Sequence, residues 1–235
     1  TKPQLFPDLE KLHGDRDPKK GEGLKALEGR SWDAVVDTSG YFPRIVKASA
    51  ELLADKVKQY VFISSITVYP EDAPVGLDEK TPVGKIADET VETMGAQFEN
   101  YGPLKALCEQ AAERAMPGRV TNIRPGLIVG PGDPTDRFTY WPVRVDRGGD
   151  VLAPAPQDSP VQFIDVRDLA EWAIKTIEDG HTGVYNANGP RGTLTFGEML
   201  GGCKAITSSV VNFVWVDEKF LLDHEVGPWM GLPMW

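Results

Sequence analysis

The residues with the clearest chemical potential are a tyrosine and a lysine four positions apart, in Tyr101-Gly-Pro-Leu-Lys105. On a helix, side chains at this spacing lie on one face, one turn from each other. The lysine ammonium can stabilise the phenolate of the tyrosine and lower its pKa, which suits a proton-transfer group that works near neutral pH. The same spacing is also common on solvated helix faces. The pair therefore predicts acid/base chemistry only if further site residues accompany it.

Two serines supply such a companion. The apolar, β-branched run at residues 60–64 predicts a buried parallel strand, and it ends in Ser64-Ser65. Hydroxyls at the carboxyl end of a parallel strand lie where open α/β sheets bind ligands. Alternatively, these serines form only structural hydrogen bonds at the end of the strand. Together with the tyrosine and the lysine, they favour an acid/base site with hydroxyl groups beside it.

The rest of the chain predicts strands and helices in alternation, which would position these residues. Such alternation favours an α/β fold with a parallel sheet. The predicted strands cover residues 33–37, 60–64, 120–123, 127–129 and 210–216, and the predicted helices cover 24–27, 45–53, 167–178 and, after a capping box at Thr195, the residues up to Ala205. Residues 130–160 are rich in Gly, Pro and aromatic residues without sustained periodicity, which predicts a functional loop or lid.

Composition and charge exclude several classes of partner. The chain has 25 basic and 35 acidic residues, a net charge of -10 and a pI near 4.8. This balance argues against nucleic-acid binding, which depends on Lys and Arg contacts to phosphates. No apolar run approaches the roughly 20 residues of a membrane span, so we expect no membrane association. The two cysteines, Cys108 and Cys203, are far apart in the sequence, which predicts free thiols and a reducing, cytoplasmic location.

Three further chemistries lack the residues they require. His13, His181 and His224 are scattered without metal-ligand spacing, so no metal site is predicted. The sequence contains no G-x-S-x-G elbow, which argues against a serine hydrolase. Residues 21–26 match a dinucleotide-binding fingerprint only as a bare pattern, because no predicted strand precedes them. We expect these residues to form a loop that leads into a short helix.

Six segments occur in an order that is typical of one enzyme family. They are Gly14-Asp15-Arg16-Asp17, residues 33–37, Ser64-Ser65-Ile-Thr-Val-Tyr69, Tyr101-Gly-Pro-Leu-Lys105, Ile123-Arg-Pro-Gly-Leu-Ile-Val-Gly-Pro131 and Phe163-Ile-Asp-Val-Arg-Asp168. In this combination the chain resembles the extended short-chain dehydrogenases/reductases, especially their NAD-dependent epimerase/dehydratase branch. The resemblance implies a Rossmann-type α/β fold with a doubly wound parallel sheet, a smaller C-terminal substrate region, and NAD or NADP as the cofactor.

The resemblance also implies roles for individual residues. Tyr101 would move the proton, Lys105 would hold the nicotinamide ribose and lower the pKa of Tyr101, and Ser65 would hydrogen-bond the developing oxyanion. The residues expected to contact the cofactor are Asp15, Arg16, Thr38, Ser39, Gly40, Ser64, Tyr101, Lys105, Arg124, Pro125, Gly126 and Leu127. The residues expected on the substrate side are Thr67, Asp133, Arg137, Tyr140 and Arg144, and the charged members of this set suit a solvated loop equally well.

The family pattern further predicts how the chain is organised. Residues 1–130 would form a truncated dinucleotide-binding domain and residues 131–235 a substrate-side region, with residues 161–180 returning to the first domain. The family's first βαβ unit has no counterpart in this chain, so we expect Thr1 to be a cut edge. The longer segment between Ser65 and Tyr101 predicts an added surface loop or helix at residues 70–97. A homodimer is expected by analogy alone.

The implied function is NAD(P)-dependent oxidoreduction or epimerisation at a hydroxyl or carbonyl carbon of a small molecule. Ile66 and Thr67 stand where the family's dehydratases carry an Asp-Glu pair, which disfavours dehydration. Leu127 stands where sugar-nucleotide epimerases carry Asn, which disfavours a nucleotide-sugar substrate. Two alternatives stay open, namely a catalytically silent binding or RNA-associated scaffold and a reductase of aromatic or steroid-like ketones. The aromatic residues available to line the pocket of such a reductase are Phe138, Tyr140, Trp141 and Trp172.

Overall fold

Strands and helices alternate along the chain in the computed structural model, which describes residues 5–235. The strands are β1 (Ala34–Asp37), β2 (Gln59–Ile63), β3 (Val120–Pro125), β4 (Leu127–Val129), β5 (Gly149–Pro154), β6 (Pro160–Asp165), β7 (Gly183–Ala187), β8 (Gly189–Thr195) and β9 (Val211–Val216). The helices are α1 (Pro43–Leu53), α2 (Tyr101–Ala115), α3 (Tyr140–Asp146), α4 (Val166–Glu178), α5 (Phe196–Ala205) and α6 (Glu218–Asp223), with 3-10 turns at Lys25–Leu27 and Ile66–Val68. The expectation for Thr1 lies outside the described residues.

The chain folds as two compact units. The first unit comprises the residues up to Pro125 together with Glu171–Ala187, and the second comprises Gly126–Ala170 and Asn188–Trp235. The chain therefore enters the second unit after β3, returns to the first within α4, and leaves it again after β7. Each unit has a hydrophobic core of its own.

A four-stranded parallel sheet forms the centre of the first unit, in the order β1-β2-β3-β7. The two central strands, β2 and β3, are almost entirely buried, as expected for parallel strands with apolar residues. Because all four strands point the same way, their carboxyl ends meet at one side of the sheet. We call this side the carboxyl edge, and the last residues of its strands are Asp37, Ile63, Pro125 and Ala187.

Helices α1 and α2 of the first unit form where the sequence predicts helices. Pro43 lies in the first turn of α1, where its missing N–H costs nothing. Helix α1 packs against α2 and contributes Val46 and Ala50 to the core around Phe62. Residues 70–97 contain neither helix nor strand, so the added segment is a loop. No strand precedes residues 21–26 within the described range, and residues 21–24 form turns that lead into the 3-10 turn Lys25–Leu27, as predicted.

The second unit contains two small sheets. In the three-stranded sheet, of order β4-β6-β8, β4 is parallel and β8 antiparallel to the central strand β6. Strands β5 and β9 form a separate parallel pair. The core of this unit is built around Trp141, Phe196 and Leu200. Helix α5 begins with the predicted capping box, since Thr195 and Glu198 each bind the other's backbone N–H.

The prediction of a functional loop or lid at residues 130–160 is wrong, because this range contains α3 and β5. Helix α3 has only 7 residues and buries Trp141 and Val145. Strand β5 follows after a turn in which Gly148 and Gly149 both have φ 72°, a conformation that glycine adopts without strain. Elements this short do not produce a periodic pattern that a sequence window can detect.

Both cysteines are buried and unpaired, as the sequence predicts. Burial raises the pKa of Cys108 to about 12, so this thiol stays protonated at neutral pH and is not a nucleophile there. Within the described range, no helix combines the length and the apolar character that crossing a membrane requires.

The start of α2 packs very closely against the 3-10 turn that follows β2. A Cβ atom added to Gly102 would lie 1.9 Å from the carbonyl oxygen of Thr67. Only glycine permits this approach, because any other residue would overlap a backbone atom. The contact holds the start of α2 next to the segment that carries Ser65.

We expect Gly102→Ala to lower the free energy of unfolding by about 1–3 kcal/mol, because the added methyl group forces the two segments apart. Urea denaturation measures this loss. The control is Gly201→Ala on α5, where an added Cβ meets nothing within 4 Å. In the absence of a clash, this control should keep or raise the stability, by up to about 1 kcal/mol. Equal losses in the two variants would contradict the packing argument.

Candidate active site

The two serines singled out by the sequence follow directly after β2. Ser64 extends the sheet by donating its backbone N–H to the carbonyl oxygen of Ile123, at 2.6 Å. Its Oγ is buried and has no hydrogen-bond partner among the described residues. Ser65 begins the 3-10 turn, and its Oγ accepts hydrogen bonds from the backbone N–H of Thr67 at 3.3 Å and from the Thr67 hydroxyl at 2.8 Å. Buried hydroxyls normally have partners, so the Ser64 Oγ keeps hydrogen-bonding capacity for a water molecule or a ligand.

Lys105 lies in the second turn of α2 and is almost completely buried, with 3% of its surface exposed. Its Nζ donates to the carbonyl oxygens of Gly40, at 2.9 Å, and Ile63, at 2.7 Å. The Nζ also lies 4.3 Å from the centroid of the Phe62 ring. Burial lowers the pKa of Lys105 to about 8, so the ammonium keeps most of its charge at neutral pH. The fold thus holds a cation at the carboxyl edge, beneath the ends of β1 and β2.

Tyr101 is the first residue of α2, one turn before Lys105. It is partly exposed, and its ring centroid lies 6.5 Å from that of Tyr41. The close approach of α2 to Thr67 holds this end of the helix against the segment that carries Ser65. The three predicted catalytic residues therefore belong to neighbouring elements at the carboxyl edge of the first unit.

A buried ion pair joins these elements. Arg124 on β3 and Glu109 on α2 have side chains that are only 5% and 8% exposed. Nε and Nη2 of Arg124 donate to the Glu109 carboxylate at 2.9 and 2.6 Å, and Nη1 donates to Tyr69 Oη at 2.7 Å. The Tyr69 hydroxyl in turn donates to Oδ1 of Asn186 on β7, at 2.9 Å.

The surroundings of Arg124 favour its charged form. Burial acts to lower the pKa of Arg124, but the hydrogen bonds and charge of Glu109 hold this pKa above its ordinary value. The resemblance to the family implies that Arg124 contacts the cofactor. In the structure, its guanidinium binds a carboxylate and a tyrosine of the protein itself. These contacts link β3 to α2 and to Tyr69, which follows the 3-10 turn after β2.

A second buried carboxylate lies at the end of β1. Asp37 is 2% exposed and accepts hydrogen bonds from Nη1 and Nη2 of Arg16 at 2.5 and 2.7 Å. It also accepts from Tyr60 Oη at 2.6 Å and from the backbone N–H of Ser39 at 3.1 Å. Burial acts to raise the pKa of Asp37, but the hydrogen bonds and charge of Arg16, with the hydrogen bonds from Tyr60 and Ser39, together lower it. The sequence analysis missed Asp37, although an acidic residue that ends a predicted strand could have drawn attention to it.

A cavity of about 340 Å³ lies beside this ion pair, within the range of small-molecule sites. Arg44 on α1 borders the cavity and is held by Asp17, at 2.8 and 3.1 Å, and by Glu92, at 2.6 and 2.9 Å. Thr38 and Ser39 are exposed just beyond β1. The full lining comprises Asp15, Arg16, Asp17, Lys20, Ser39, Tyr41, Phe42, Arg44, Ile45 and Glu92.

The remaining cofactor candidates are divided between the two units. Pro125 ends β3 in the first unit, whereas Gly126 and Leu127 belong to the second. An added Cβ at Gly126 would lie 1.9 Å from Oδ1 of Asn188, so the glycine fits closely against this side chain. Residues 5–235 contain no group of three His, Cys, Asp or Glu side chains suited to a metal ion.

The substrate-side candidates of the second unit have different environments. Asp133 and Arg137 line a cavity of about 280 Å³, and Asp133 Oδ2 is buried without a partner among the described residues. Tyr140 packs edge-on against Trp141, with ring centroids 4.9 Å apart. Arg144 donates to two backbone carbonyls around the turn between α3 and β5, so its charge is engaged within the protein.

We expect Glu109→Gln to lower the free energy of unfolding by about 3–5 kcal/mol, because it leaves the Arg124 charge buried without an anion. Guanidinium chloride denaturation measures the loss. Glu51→Gln is a matched control, since Glu51 forms an exposed pair with Lys47 at 3.7 Å on α1. Losing that pair should cost less than about 1 kcal/mol. Similar, small losses in both variants would refute the structural role of the buried pair.

Comparison with known proteins extends these observations. The sequence model of the NAD dependent epimerase/dehydratase family matches residues 33–187, which is more than half of the chain. A search of curated proteins finds no match. The matched range contains Ser65, Tyr101 and Lys105, and it covers all four strands of the first unit's sheet.

Solved structures share the fold at low sequence identity. A dTDP-4-dehydrorhamnose reductase ortholog from Clostridium acetobutylicum has a TM-score of 0.62 and 14% identity, over 83% of this chain and 69% of that one. RMD from Pseudomonas aeruginosa, complexed with NADPH, has a TM-score of 0.61 and 19% identity, over 86% and 75%. A Burkholderia cenocepacia J2315 protein, provisionally described as an epimerase, has a TM-score of 0.57 and 20% identity, over 78% and 61%.

This chain spans 61% of the length of the Burkholderia structure. At these identities the structural similarity concerns the fold, and it confirms the predicted Rossmann-type α/β architecture. The family match confirms the resemblance carried by the six sequence segments. The chain therefore belongs to the NAD-dependent epimerase/dehydratase family.

Proposed function

We propose that this chain belongs to an NAD(P)-dependent oxidoreductase or epimerase that acts at a hydroxyl or carbonyl carbon of a small molecule. The observation that carries the proposal is the buried Lys105 ammonium, which donates to the carbonyls of Gly40 and Ile63 at the carboxyl edge. Burying a charged lysine costs several kcal/mol unless it is compensated, so an ammonium kept at such a place serves a purpose beyond packing. Tyr101 on the same helix and Ser65 on the adjacent turn complete the site.

The described residues fit two parts of a nicotinamide dinucleotide, its adenosine and its nicotinamide riboside. The cavity of about 340 Å³ beside Asp37 has a size suited to an adenosine moiety, with Asp15 and Ser39 available for hydrogen bonds and Tyr41 for stacking. The Ser64 Oγ has no hydrogen-bond partner among the described residues, so it is available to bind the cofactor. When bound, the nicotinamide ring supplies the carbon that accepts or donates a hydride.

The side chains of this protein would manage the proton and the charge. Tyr101 donates its phenolic proton to a carbonyl oxygen during reduction and takes a hydroxyl proton during oxidation. Lys105, with a pKa of about 8, is largely cationic at neutral pH and favours the phenolate form of a neighbouring tyrosine. The Ser65 hydroxyl donates a hydrogen bond to the oxygen on which negative charge develops.

The reaction would stop at exchange between an alcohol and a carbonyl. Residues 66 and 67 are isoleucine and threonine, and neither can serve as the carboxylate pair that the family's dehydratases carry. The two buried, unpaired cysteines, Cys108 and Cys203, fit the reducing environment of the cytoplasm, which we propose as the location.

The test is cofactor binding followed by turnover. We expect NADH or NADPH to bind the purified full-length protein in a fluorescence titration, and a panel of ketones and aldehydes to oxidise the bound cofactor. In Tyr101→Phe the turnover should fall by about 100-fold or more, while the cofactor Kd stays unchanged, because only the proton donor is lost.

Tyr185→Phe is the matched control for this prediction. It removes the same kind of hydroxyl from a residue whose Oη donates to the carbonyl of Thr182, close by in the chain. We expect this variant to turn over like the wild type. Failure of both cofactors to bind, or wild-type turnover in Tyr101→Phe, would refute the proposed function.

A further inference from the structure

Among residues 5–235, one neighbour, Thr67, restrains the hydroxyl of Ser65. Its Oγ accepts two hydrogen bonds from Thr67, one from the backbone N–H at 3.3 Å and one from the side-chain hydroxyl at 2.8 Å. A serine hydroxyl has two acceptor lone pairs and one donor proton. Both lone pairs are therefore occupied by the same residue. The only hydrogen-bonding capacity left to Ser65 Oγ is donation.

The side-chain bond from Thr67 is not needed for local structure. Ser65 is the N-cap of the 3-10 turn Ile66–Val68, and the bond from the Thr67 backbone N–H already satisfies that cap. The Thr67 side chain is exposed, where its hydroxyl could bind water instead. Instead, the exposed Thr67 hydroxyl donates to Ser65 Oγ, and Ser65 is only 9% exposed. This bond makes the buried Ser65 Oγ an acceptor toward Thr67 and leaves its own proton for another partner.

We infer that Thr67 is a positioning residue, which orients the Ser65 hydroxyl as an obligatory donor toward the reacting oxygen. This inference rests on the proposed function, in which Ser65 stabilises developing negative charge. A fixed donor suits a carbonyl or alkoxide oxygen, because the transition state then needs no reorientation of the hydroxyl. A serine with a vacant lone pair could instead accept a hydrogen bond from a substrate hydroxyl and stabilise the wrong state.

The same geometry revises the role expected for Thr67. Its hydroxyl proton is committed to Ser65 at 2.8 Å, so that proton is not available for the substrate. The contribution of Thr67 to substrate binding is then indirect, through the orientation of Ser65. Its loss should lower kcat more than it raises KM.

Two variants separate this role from a structural one. Thr67→Val has nearly the same shape but lacks the hydroxyl, and Thr67→Ser keeps the hydroxyl at the same place. The exposure of residue 67 makes both substitutions mild for the fold, which thermal unfolding verifies. The first readout is the Ser65 side chain in crystal structures of the unliganded variants. The second readout is kcat and KM with the best carbonyl substrate, together with the Kd for NADH.

We expect Ser65 to keep its rotamer in the wild type and in Thr67→Ser, and to change rotamer or occupy several in Thr67→Val. Turnover in Thr67→Val should fall about five- to tenfold, equivalent to one neutral hydrogen bond, and Thr67→Ser should restore it. The Kd for NADH should be the same in all three proteins.

An unchanged Ser65 rotamer in Thr67→Val, or turnover that does not differ from the wild type, would overturn the inference. The crystallographic readout needs neither substrate nor cofactor. If Ser65 moves in Thr67→Val while even the wild type reduces no carbonyl compound, the positioning of Ser65 by Thr67 holds and the proposed function fails.

Discussion

The buried guanidinium of Arg124 is the constraint on which the site in the first unit depends. An arginine with about 5% of its side chain exposed is tolerated only if its charge and its N–H groups are matched by the protein. Glu109 supplies the charge and two acceptors, and Tyr69 supplies a third acceptor. The planar guanidinium donates its hydrogen bonds in fixed directions, so its partners must lie at defined positions. A lysine ammonium would not impose this geometry.

This requirement fixes three elements relative to one another. Glu109 lies on α2, one turn beyond Lys105, and Tyr69 lies four residues after Ser65. Holding both partners against β3 holds the lysine and the serine at the carboxyl edge of the sheet. Lys105 then meets the carbonyls of Gly40 and Ile63, which partly replace the water its ammonium has lost. The site is therefore built on buried charges whose partners come from separate elements.

Much of this arrangement could be predicted from the sequence, because its strongest signals are local. The strand at β2, Pro43 at the start of α1 and the Thr195 capping box all depend on neighbouring residues. The order of the motifs predicted the fold, and their spacing predicted that Tyr101 and Lys105 lie on one helix. Short elements escaped detection, as α3 and β5 show, since 7 and 6 residues carry too little periodicity.

The pairings within the site could not be predicted, because they join residues far apart in the chain. Arg124 meets Glu109 across 15 positions and Tyr69 across 55, and Arg16 meets Asp37 across 21. The apolar residues of α4 do not all face the core, since Ala170 is exposed and Ile174 is 55% exposed, whereas Thr176 is buried. Periodicity locates a helix, but the partners around it decide which side chains are covered.

The most direct test of the central claim is hydride transfer itself. The purified full-length protein is incubated with NADH or NADPH that carries deuterium at both C4 positions and with a panel of ketones and aldehydes, and mass spectrometry locates the deuterium. The expected result is deuterium on the former carbonyl carbon of at least one product, in proportion to the cofactor oxidised. If the cofactor binds and yet retains its deuterium with every compound, the site at the carboxyl edge does not perform the chemistry assigned to it.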